Sequence, residues 1–374
     1  MTPWLRSRGF FSRNAMGMQS RRGSLEMSTW TKSKKIIAAG LAVFAAAGMV
    51  AGCGLSGKSS GGNAAAGQKV ELKLAYHLPV EHHLSKSIEK FAKEVNTRTN
   101  GSVEIKTYPA GQLYTDKSMN DAILSGGLDM GLNSVAMWST IVPAMNIMEV
   151  PFLLPTYAAA DNAIDGDLGK VLSEELEKKG VHPLMWADYG FVQYCNNTKE
   201  IKTPDDFAGL KIRSYGQLAS ETIEALGGAP TTMGSGEVYM AMKNGTIDGQ
   251  TSGQTAILSR KIYEVSKYMT VTNHVFIEFI LAVNDNSWKK LSPDQQKAIT
   301  DVANEIRDEI RKETKGEDER CLQELKDKGM EIYEVPADQL KLWQDATASV
   351  REKFIVDNGE MGQRLVDDCL KAAQ

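Results

Sequence analysis

The sequence predicts an α/β fold of two lobes, with mixed sheets flanked by helices and a cleft that closes about a hinge. Residues 207–252 follow the order strand–helix–strand–helix–strand, at the spacing of an open α/β unit with parallel strands. Two apolar strands, at residues 184–195 and 276–283, are expected to cross between the lobes, which favours a hinged cleft. A charged helical stretch at residues 293–325 follows them as a long connecting helix, about 50 Å if continuous.

The chain of 374 residues is 24% charged and 42% hydrophobic, a globular composition with room for two domains. Residues 1–52 differ, because three lysines precede an apolar run at residues 36–51 that ends in small residues before Cys53. This pattern resembles a bacterial lipoprotein signal, in which Cys53 is lipidated and becomes the first mature residue. Met27 would begin a signal of ordinary length. The alternatives are an ordinary signal peptide or a short membrane anchor.

The expected mature chain is acidic. Removing residues 1–52 leaves 35 basic and 46 acidic residues, a net charge of −11, which argues against nucleic acid as a partner. Residues 53–69, rich in Gly, Ser and Ala, are expected to form a flexible tether. Three cysteines remain after Cys53, and Cys321 and Cys369 either form a disulfide or stay as thiols.

The other elements are predicted from apolar periodicity and from the residues that end each run. Alternation predicts strands, 3.6-residue periodicity predicts helices, and glycines follow several of the helices. The predicted strands are residues 70–76, 103–108, 129–132 and 331–335, and the predicted helices are residues 81–99, 117–124, 158–179, 338–354 and 362–373. Within the central unit, Arg213 and Gln250 each end a strand, where ligands of such sheets bind.

No motif of a known catalytic or cofactor site is present in the sequence. It contains no phosphate loop, dinucleotide fingerprint, nucleophile elbow or zincin helix, so neither a cofactor nor catalytic residues are predicted. His82 and His83 are the only adjacent histidines and lack the spacing of a metal site. Arg213 either binds a ligand or forms a structural salt bridge.

Several motifs, in order along the chain from residue 70 to the C-terminus, resemble the solute-binding proteins of TRAP transporters, the DctP family. They include Tyr-Pro-Ala-Gly-Gln-Leu at residues 108–113, Val-Pro-Phe at 150–152 and Gly-Leu-Lys-Ile-Arg at 209–213. They continue with Glu-Val-Tyr at 237–239 and Tyr-Glu-Val at 263–265. The resemblance implies a two-lobed, periplasmic-binding-protein-like receptor that closes on a small organic acid.

The resemblance also implies where the ligand binds. The ligand-binding residues it gives are Arg213, His77, Asn133, Ser134, Trp138, Tyr189, Val192, Gln193, Gln250, Ser252 and Asn273. The family has an arginine after Gly-Phe that forms the main ion pair with the ligand carboxylate, and this chain has Val192 there. A monocarboxylate held by Arg213 is therefore expected, unless Lys199 or Arg260 replaces the missing charge.

The sequence thus predicts an exported, lipid-anchored and monomeric receptor that delivers an organic acid to TRAP membrane permease subunits. Lobe I would comprise residues 70–190 and 278–317, and lobe II residues 191–277 and 318–374. A ligand receptor for a sensor system and an exported hydrolase are the alternatives. The absence of a nucleophile, base and oxyanion-hole set disfavours the hydrolase.

Overall fold

A single nine-stranded mixed β-sheet organises the protein, seen in a computed structural model that describes residues 69–374. The strands are β1 (Val70–Tyr76), β2 (Val103–Tyr108), β3 (Met130–Ser134), β4 (Val181–Asn196), β5 (Lys211–Ser214), β6 (Ala229–Thr232), β7 (Gly249–Gly253), β8 (Tyr268–Asn284) and β9 (Glu331–Glu334). The α-helices are α1 (His83–Arg98), α2 (Asp116–Ser125), α3 (Val135–Trp138), α4 (Tyr157–Asp165), α5 (Asp167–Glu177), α6 (Gln217–Ala225), α7 (Val238–Lys243), α8 (Gln254–Ser259), α9 (Asp285–Trp288), α10 (Pro293–Asp327) and α11 (Leu340–Ala372). Three short 3-10 helices complete the described chain, Pro143–Glu149, Pro204–Phe207 and Ile262–Glu264.

The sheet consists of two parallel groups of strands joined by two long antiparallel ones. Its order is β2-β1-β3-β8-β4-β7-β5-β6, and β9 pairs with β8. Strand β1 is parallel to β2 and β3, and β5 is parallel to β6 and β7. The predicted mixed α/β fold is therefore confirmed, and β5, β6 and β7 form the parallel unit expected from residues 207–252.

Strands β4 and β8 belong to both groups. They pair along nearly their whole length, from Val181 opposite Asn284 to Asn196 opposite Tyr268. One end of β8 also pairs with β3, and the other end of β4 pairs with β7. The prediction that two strands cross between the groups is confirmed, while the exact lobe boundaries at residues 190/191 and 277/278 stay predictions.

The apolar core follows the same division. The largest buried cluster contains the inner faces of β1, β3 and α1, while two smaller clusters lie around β5–β7. Helix α1 contributes Leu84, Ile88, Phe91 and Val95 from one face, as its 3.6-residue periodicity predicts. Helix α10 spans 35 residues, begins with a capping box at Ser292, and confirms the long predicted helix.

The structure corrects some predicted helices. Residues 158–179 form two helices rather than one, because Gly166 has extended dihedrals (φ −92°, ψ −155°) and ends α4 before α5 begins. Helix α8 is too short, at six residues, for a clear periodic pattern and was not predicted. Helix α11 bends at Gly359, where φ is 59°, so it divides close to the break expected between residues 354 and 362.

The cysteines of the described chain are buried thiols. Cys195, Cys321 and Cys369 are all unpaired, so the disulfide alternative for the last two is not adopted. Cys53 lies outside the described residues. Within residues 69–374, none of the helices combines the length and apolar character needed to cross a bilayer.

Candidate functional site

A small cavity lies where the two groups of strands meet. Its volume is about 50 Å³, and it adjoins the carboxyl ends of β1, β3, β5 and β7. The lining residues are His77, Leu78, Asp116, Ser134, Ala136, Met137, Tyr189, Val192, Arg213, Tyr215, Ser235, Ser252, Ala256, Arg260, Ile277 and Phe279. Larger depressions occur elsewhere, such as one of about 330 Å³ beside Lys86 and Arg320. We assign the site to the small cavity, because charged side chains are buried there rather than solvated.

Arg213 is the most buried charge in the cavity wall. It lies in β5, is only 4% exposed, and donates to two carbonyl oxygens, Met233 O at 3.1 Å and Thr251 O at 3.4 Å. Burial lowers the pKa of the guanidinium to about 10, so it remains charged at neutral pH. No ion pair of the described chain includes Arg213, which removes the alternative of a structural salt bridge.

A second guanidinium enters the cavity from a position that the predicted site did not include. Arg260 caps the C-terminus of α8, is partly buried, and donates to His77 O at 2.9 Å. Burial lowers its pKa also. Lys199, the other residue considered as a replacement for the missing arginine, bonds to Ala208 O outside the cavity.

Asp116 is the only carboxylate among the lining residues. It begins α2, is buried, and accepts hydrogen bonds from the backbone N–H groups of Ser235 (2.8 Å) and Lys117 (3.0 Å). Burial alone would raise its pKa, but charge interaction with His77, the Ser235 bonds and Arg213 together hold it below its usual value. Burial lowers the pKa of His77 to about 3, so this ring is neutral at physiological pH. The charged groups of the wall are thus two cations and one anion.

Aromatic rings form an apolar side of the cavity. Tyr189 stacks on Phe279 with ring centres 5.0 Å apart, and His77 lies 5.6 Å from the same Phe279 ring. The Tyr189 hydroxyl lies 3.2 Å from Ser252 Oγ and also accepts from Gly253 N. Val192 and Ile277 add aliphatic surface. Such a wall suits the carbon skeleton of a ligand whose polar groups reach the arginines.

Three hydrogen bonds connect the β1–β3 side of the cavity with the β5–β7 side. Two are the bonds already described, from Arg260 to His77 O and from Ser235 N to Asp116. In the third, His82 Nε2 lies 3.1 Å from Thr255 Oγ1. Because His82 Nδ1 accepts from Leu84 N, Nε2 carries the proton and donates to the hydroxyl.

Of the residues predicted from the sequence, six line the cavity and five do not. The six are His77, Ser134, Tyr189, Val192, Arg213 and Ser252, and the five are Asn133, Trp138, Gln193, Gln250 and Asn273. Asn133 lies behind the wall, where its side-chain amide donates to Asp116 O. Gln193 and Asn273 bond to one another at 2.6 Å, while Trp138 and Gln250 are buried.

Of the three charged residues in this cavity, the predicted ligand-binding set contains Arg213 alone, and Arg260 was named only as a replacement for the missing arginine. Asp116 was not among the predicted site residues and directly precedes the helix predicted at residues 117–124, while Arg260 follows a helix that is too short to predict. Both residues lie at the ends of helices that follow a strand of the sheet or its loop. This position in the sequence is the feature that could have indicated that they lie near the site. In residues 69–374, no group of three His, Cys, Asp or Glu side chains is placed to hold a metal ion.

Comparison with known proteins identifies the family. The model of DctP, described as "Bacterial extracellular solute-binding protein, family 7", matches residues 74–357. The chain belongs to this family. The resemblance to TRAP solute-binding proteins is therefore confirmed, and this DctP-family chain is an extracytoplasmic solute-binding receptor, as the sequence predicted.

Individual relatives cover most of the chain. It is 29% identical over 310 residues to the C4-dicarboxylate-binding periplasmic protein DctP of Rhodobacter capsulatus, covering 82% of this chain and 91% of that one. It is also similar to a TRAP periplasmic solute-binding protein of Chromohalobacter salexigens with bound D-glucuronate, at 30% identity, TM-score 0.77, and 80% and 99% coverage. A third neighbour, from Sulfurospirillum deleyianum with bound succinate, is 26% identical, with TM-score 0.77 and coverage of 82% and 100%.

Proposed function

We propose that this DctP-family receptor captures a small organic acid as a monoanion in the described cavity and delivers it to TRAP membrane permease subunits. The observation that carries the proposal is Arg213, a buried cation that lines a cavity and has no carboxylate partner in the described chain. An unpaired buried charge is unfavourable, so an anionic ligand would stabilise the closed site.

The charge of the wall supports one carboxylate on the ligand. Two guanidinium groups face a single carboxylate, that of Asp116, which leaves one positive charge to be balanced. A ligand with two carboxylates would bury one negative charge in excess, at a cost of several kcal/mol. The neighbouring structures hold both kinds of acid, D-glucuronate with one carboxylate and succinate with two. The charge of the cavity wall therefore favours one carboxylate on the ligand of this receptor.

The polar groups beside the arginines support a hydroxylated skeleton. Ser134 and Ser252 offer hydroxyls, Asp116 offers acceptor oxygens, and His77 Nδ1 is buried with no hydrogen-bond partner in residues 69–374. Ligand hydroxyl groups would satisfy these atoms. The D-glucuronate complex of the neighbour has a ligand of this kind.

We propose binding without chemical conversion. A hydrolase would need a nucleophile hydrogen-bonded to a base. Ser252 bonds to the Tyr189 hydroxyl, and the described chain provides no hydrogen bond from Ser134 or Ser252 to a histidine or carboxylate. The receptor would act as a monomer that presents its bound acid to the permease.

The test begins with thermal shift of the purified protein against sugar monoacids, short hydroxy acids and diacids. A ligand present at 100 times its Kd should stabilise the protein by about 2.7 kcal/mol. The monoacids are expected to give larger shifts than diacids of similar size. A clear preference for succinate would overturn the charge argument and leave the receptor function standing.

Calorimetry with the best acid then tests Arg213. Replacing it (Arg213→Ala) should weaken binding by about 3 kcal/mol or more, because a buried ligand carboxylate loses its partner. Lys211→Ala is the matched control, since Lys211 lies in the same strand with its side chain exposed. Equal affinity of Arg213→Ala and the unaltered protein would show that the ligand binds elsewhere.

We also propose that Cys53 carries a lipid that anchors the receptor outside the cytoplasmic membrane. The positive residues, the apolar run and the small residues before Cys53 support this. In cell fractionation, Cys53→Ser should move from the membrane to the soluble extracytoplasmic fraction. Mass spectrometry of the N-terminus checks whether the variant is processed, and a processed variant that stays with the membrane would contradict the proposal.

A further inference from the structure

We infer that Arg260 is a second carboxylate-binding residue of the receptor, which acts with Arg213 as a two-arginine clamp. The inference rests on the proposed function and names a residue that the sequence-derived site lacks. It starts from the position of Arg260 in the wall of the same cavity, at the end of α8.

Hydrogen bonding leaves most of the Arg260 guanidinium available. Of its five N–H donors, the structure uses one, at Nη2, in the bond to His77 O. Arg213 likewise uses only Nε and Nη1, both with carbonyl oxygens. Two partly unsatisfied guanidinium groups therefore line one small cavity of residues 69–374, and neither has an ion-pair partner there.

The electrostatics of the cavity favour an anion that both arginines share. Each guanidinium is attracted by Asp116, but the positive charge of Arg260 also acts unfavourably on that of Arg213 in the same enclosed space. Asp116 already accepts two backbone hydrogen bonds and forms no ion pair with either arginine. A carboxylate between the two cations would remove their repulsion and could accept a fork-like pair of hydrogen bonds from each.

The two arginines lie in different structural elements. Arg213 is fixed in β5 within the sheet, whereas Arg260 extends from a helix end to the carboxyl end of β1, on the other side of the cavity. A carboxylate held by Arg260 is thereby joined, through one side chain, to the β1–β3 group. Carboxylate recognition and the contact across the cleft would share the same residue.

The test must separate carboxylate recognition from a merely structural contact with His77. Acid–amide pairs serve as probes, D-glucuronate with D-glucuronamide and lactate with lactamide, because each pair differs only in the charged group. Affinities are measured by calorimetry for the unaltered protein, Arg260→Met and Arg260→Lys. Lys199→Met is the control, since Lys199 is a cation outside the cavity.

We expect Arg260→Met to reduce acid affinity at least tenfold while leaving amide affinity nearly unchanged, so that the acid-to-amide preference falls by the same factor. Arg260→Lys should keep part of the preference, because it retains the charge and loses the fork. If Arg260→Met weakens acid and amide equally, or changes neither, Arg260 does not bind the carboxylate and the inference is overturned. Binding of neither acid by the unaltered protein would count against the proposed function itself.

Circular dichroism checks that each variant is folded. If Arg260→Met does not fold, Arg260→Lys still provides the comparison with the unaltered protein. An outcome in which Arg213→Ala abolishes acid binding and Arg260→Met does not would leave the proposed function standing and remove only the second arm of the clamp.

Discussion

Gly190 lies at the point where strand β4, strand β8 and helix α10 meet. Its φ is +106°, in a region that L side chains rarely adopt, and a bulge interrupts the pairing of β4 with β8 between Asp188 and Gly190. A Cβ atom at this position would lie 2.5 Å from a carboxylate oxygen of Asp318. That carboxyl accepts from the Tyr157 hydroxyl and from Phe191 N. The glycine therefore allows the helix to approach the bulge.

We expect Gly190→Ala to destabilise the protein by about 2 kcal/mol or more, through backbone strain and the close contact with Asp318. Urea denaturation measures the change. Gly316→Ala is the matched control, because Gly316 lies in α10 with open space around it, and it should be neutral or stabilising by up to about 1 kcal/mol. Similar losses in both variants would contradict the explanation.

At the scale of single residues, the sequence located the cavity better than it located its charges. Arg213 and Ser252 end or follow strands of the central unit, so the general rule for α/β sheets placed them. Arg260 could not be placed in the same way, because its distance from His77 depends on how the two strand groups pack together. Asn133 and Gln193 were predicted to touch the ligand, but they bond to the residues that form or support the wall.

Helix α10 contains or lies beside several buried acidic side chains. Its Arg311 lies 3.7 Å from Asp188 of β4, and Asp188 in turn interacts with Glu278 of β8. Its Asp318 is buried beside Tyr157 and Phe191. Burial raises the pKa of Asp188 and of Asp318 to about 7, and that of Glu278 well above its ordinary value. Arg311 and the exposed Asp165 form an ion pair at 2.6 Å, and Asp161 also lies 3.3 Å from Arg311. The buried acids are thus mostly protonated below neutral pH.

These acids should make the folded state less stable as pH rises. The unfolded chain releases the Asp318 proton near pH 4, whereas the folded chain keeps it up to about pH 7. The stabilisation from this group is therefore complete below about pH 4 and lost by about pH 7. The Tm of the unaltered protein should fall between pH 5 and pH 8. We expect the Tm of Asp318→Asn to fall by a few degrees less over the same range.

Thermal denaturation across this pH range measures the effect, and Asp308→Asn is the control because Asp308 is exposed on the same helix. Burial lowers the pKa values of His274 and His82, so these two residues make the folded state more stable as pH rises, opposite to Asp318. Because both histidines are present in every variant, the slopes of Tm against pH are compared between variants. Parallel Tm curves for Asp318→Asn and the unaltered protein would exclude Asp318 as a titrating group.

Predictions for the elements succeeded where the pattern was long. Helices α1 and α10 have several repeats of their period, strand β1 begins with alternating residues, and β4 is a long apolar run. Helix α10 also has a capping box and a proline near its start. The errors concern short or interrupted segments. Gly166 divides a helix whose apolar periodicity continues across the break, and α8 contains less than two turns.

For the whole molecule, the closed cavity implies movement. About 50 Å³ is far below the 300–1,000 Å³ typical of small-molecule sites, and hydrogen bonds at His77, Asp116 and His82 close it. A sugar acid can enter only if the two strand groups separate. The strands β4 and β8 connect them and would bend where their register shifts.

We therefore expect small-angle scattering to give a smaller radius of gyration with saturating ligand than without it. Arg213→Ala measured with the same ligand is the control, and it should stay in the more open form. An unchanged radius at a concentration that calorimetry shows to be saturating would indicate a rigid, preformed site.

Family resemblance supplied the arrangement of the whole molecule, which local patterns could not. Strand periodicity says nothing of which strands become neighbours, and β8 pairs with β3, β4 and β9 from three distant parts of the chain. The conclusion that two strands cross between groups came from their length and apolar character. Their pairing with each other required the structure.

The pairing of β3 with β8 also constrains when the chain can fold. Met130 pairs with Val283, so the first group of strands has an open edge until the ribosome has synthesised residue 283. The sequence between them must close a loop of more than a hundred residues, which makes this step slow. The strand order of the protein therefore delays compact structure until the chain is available as far as residue 283.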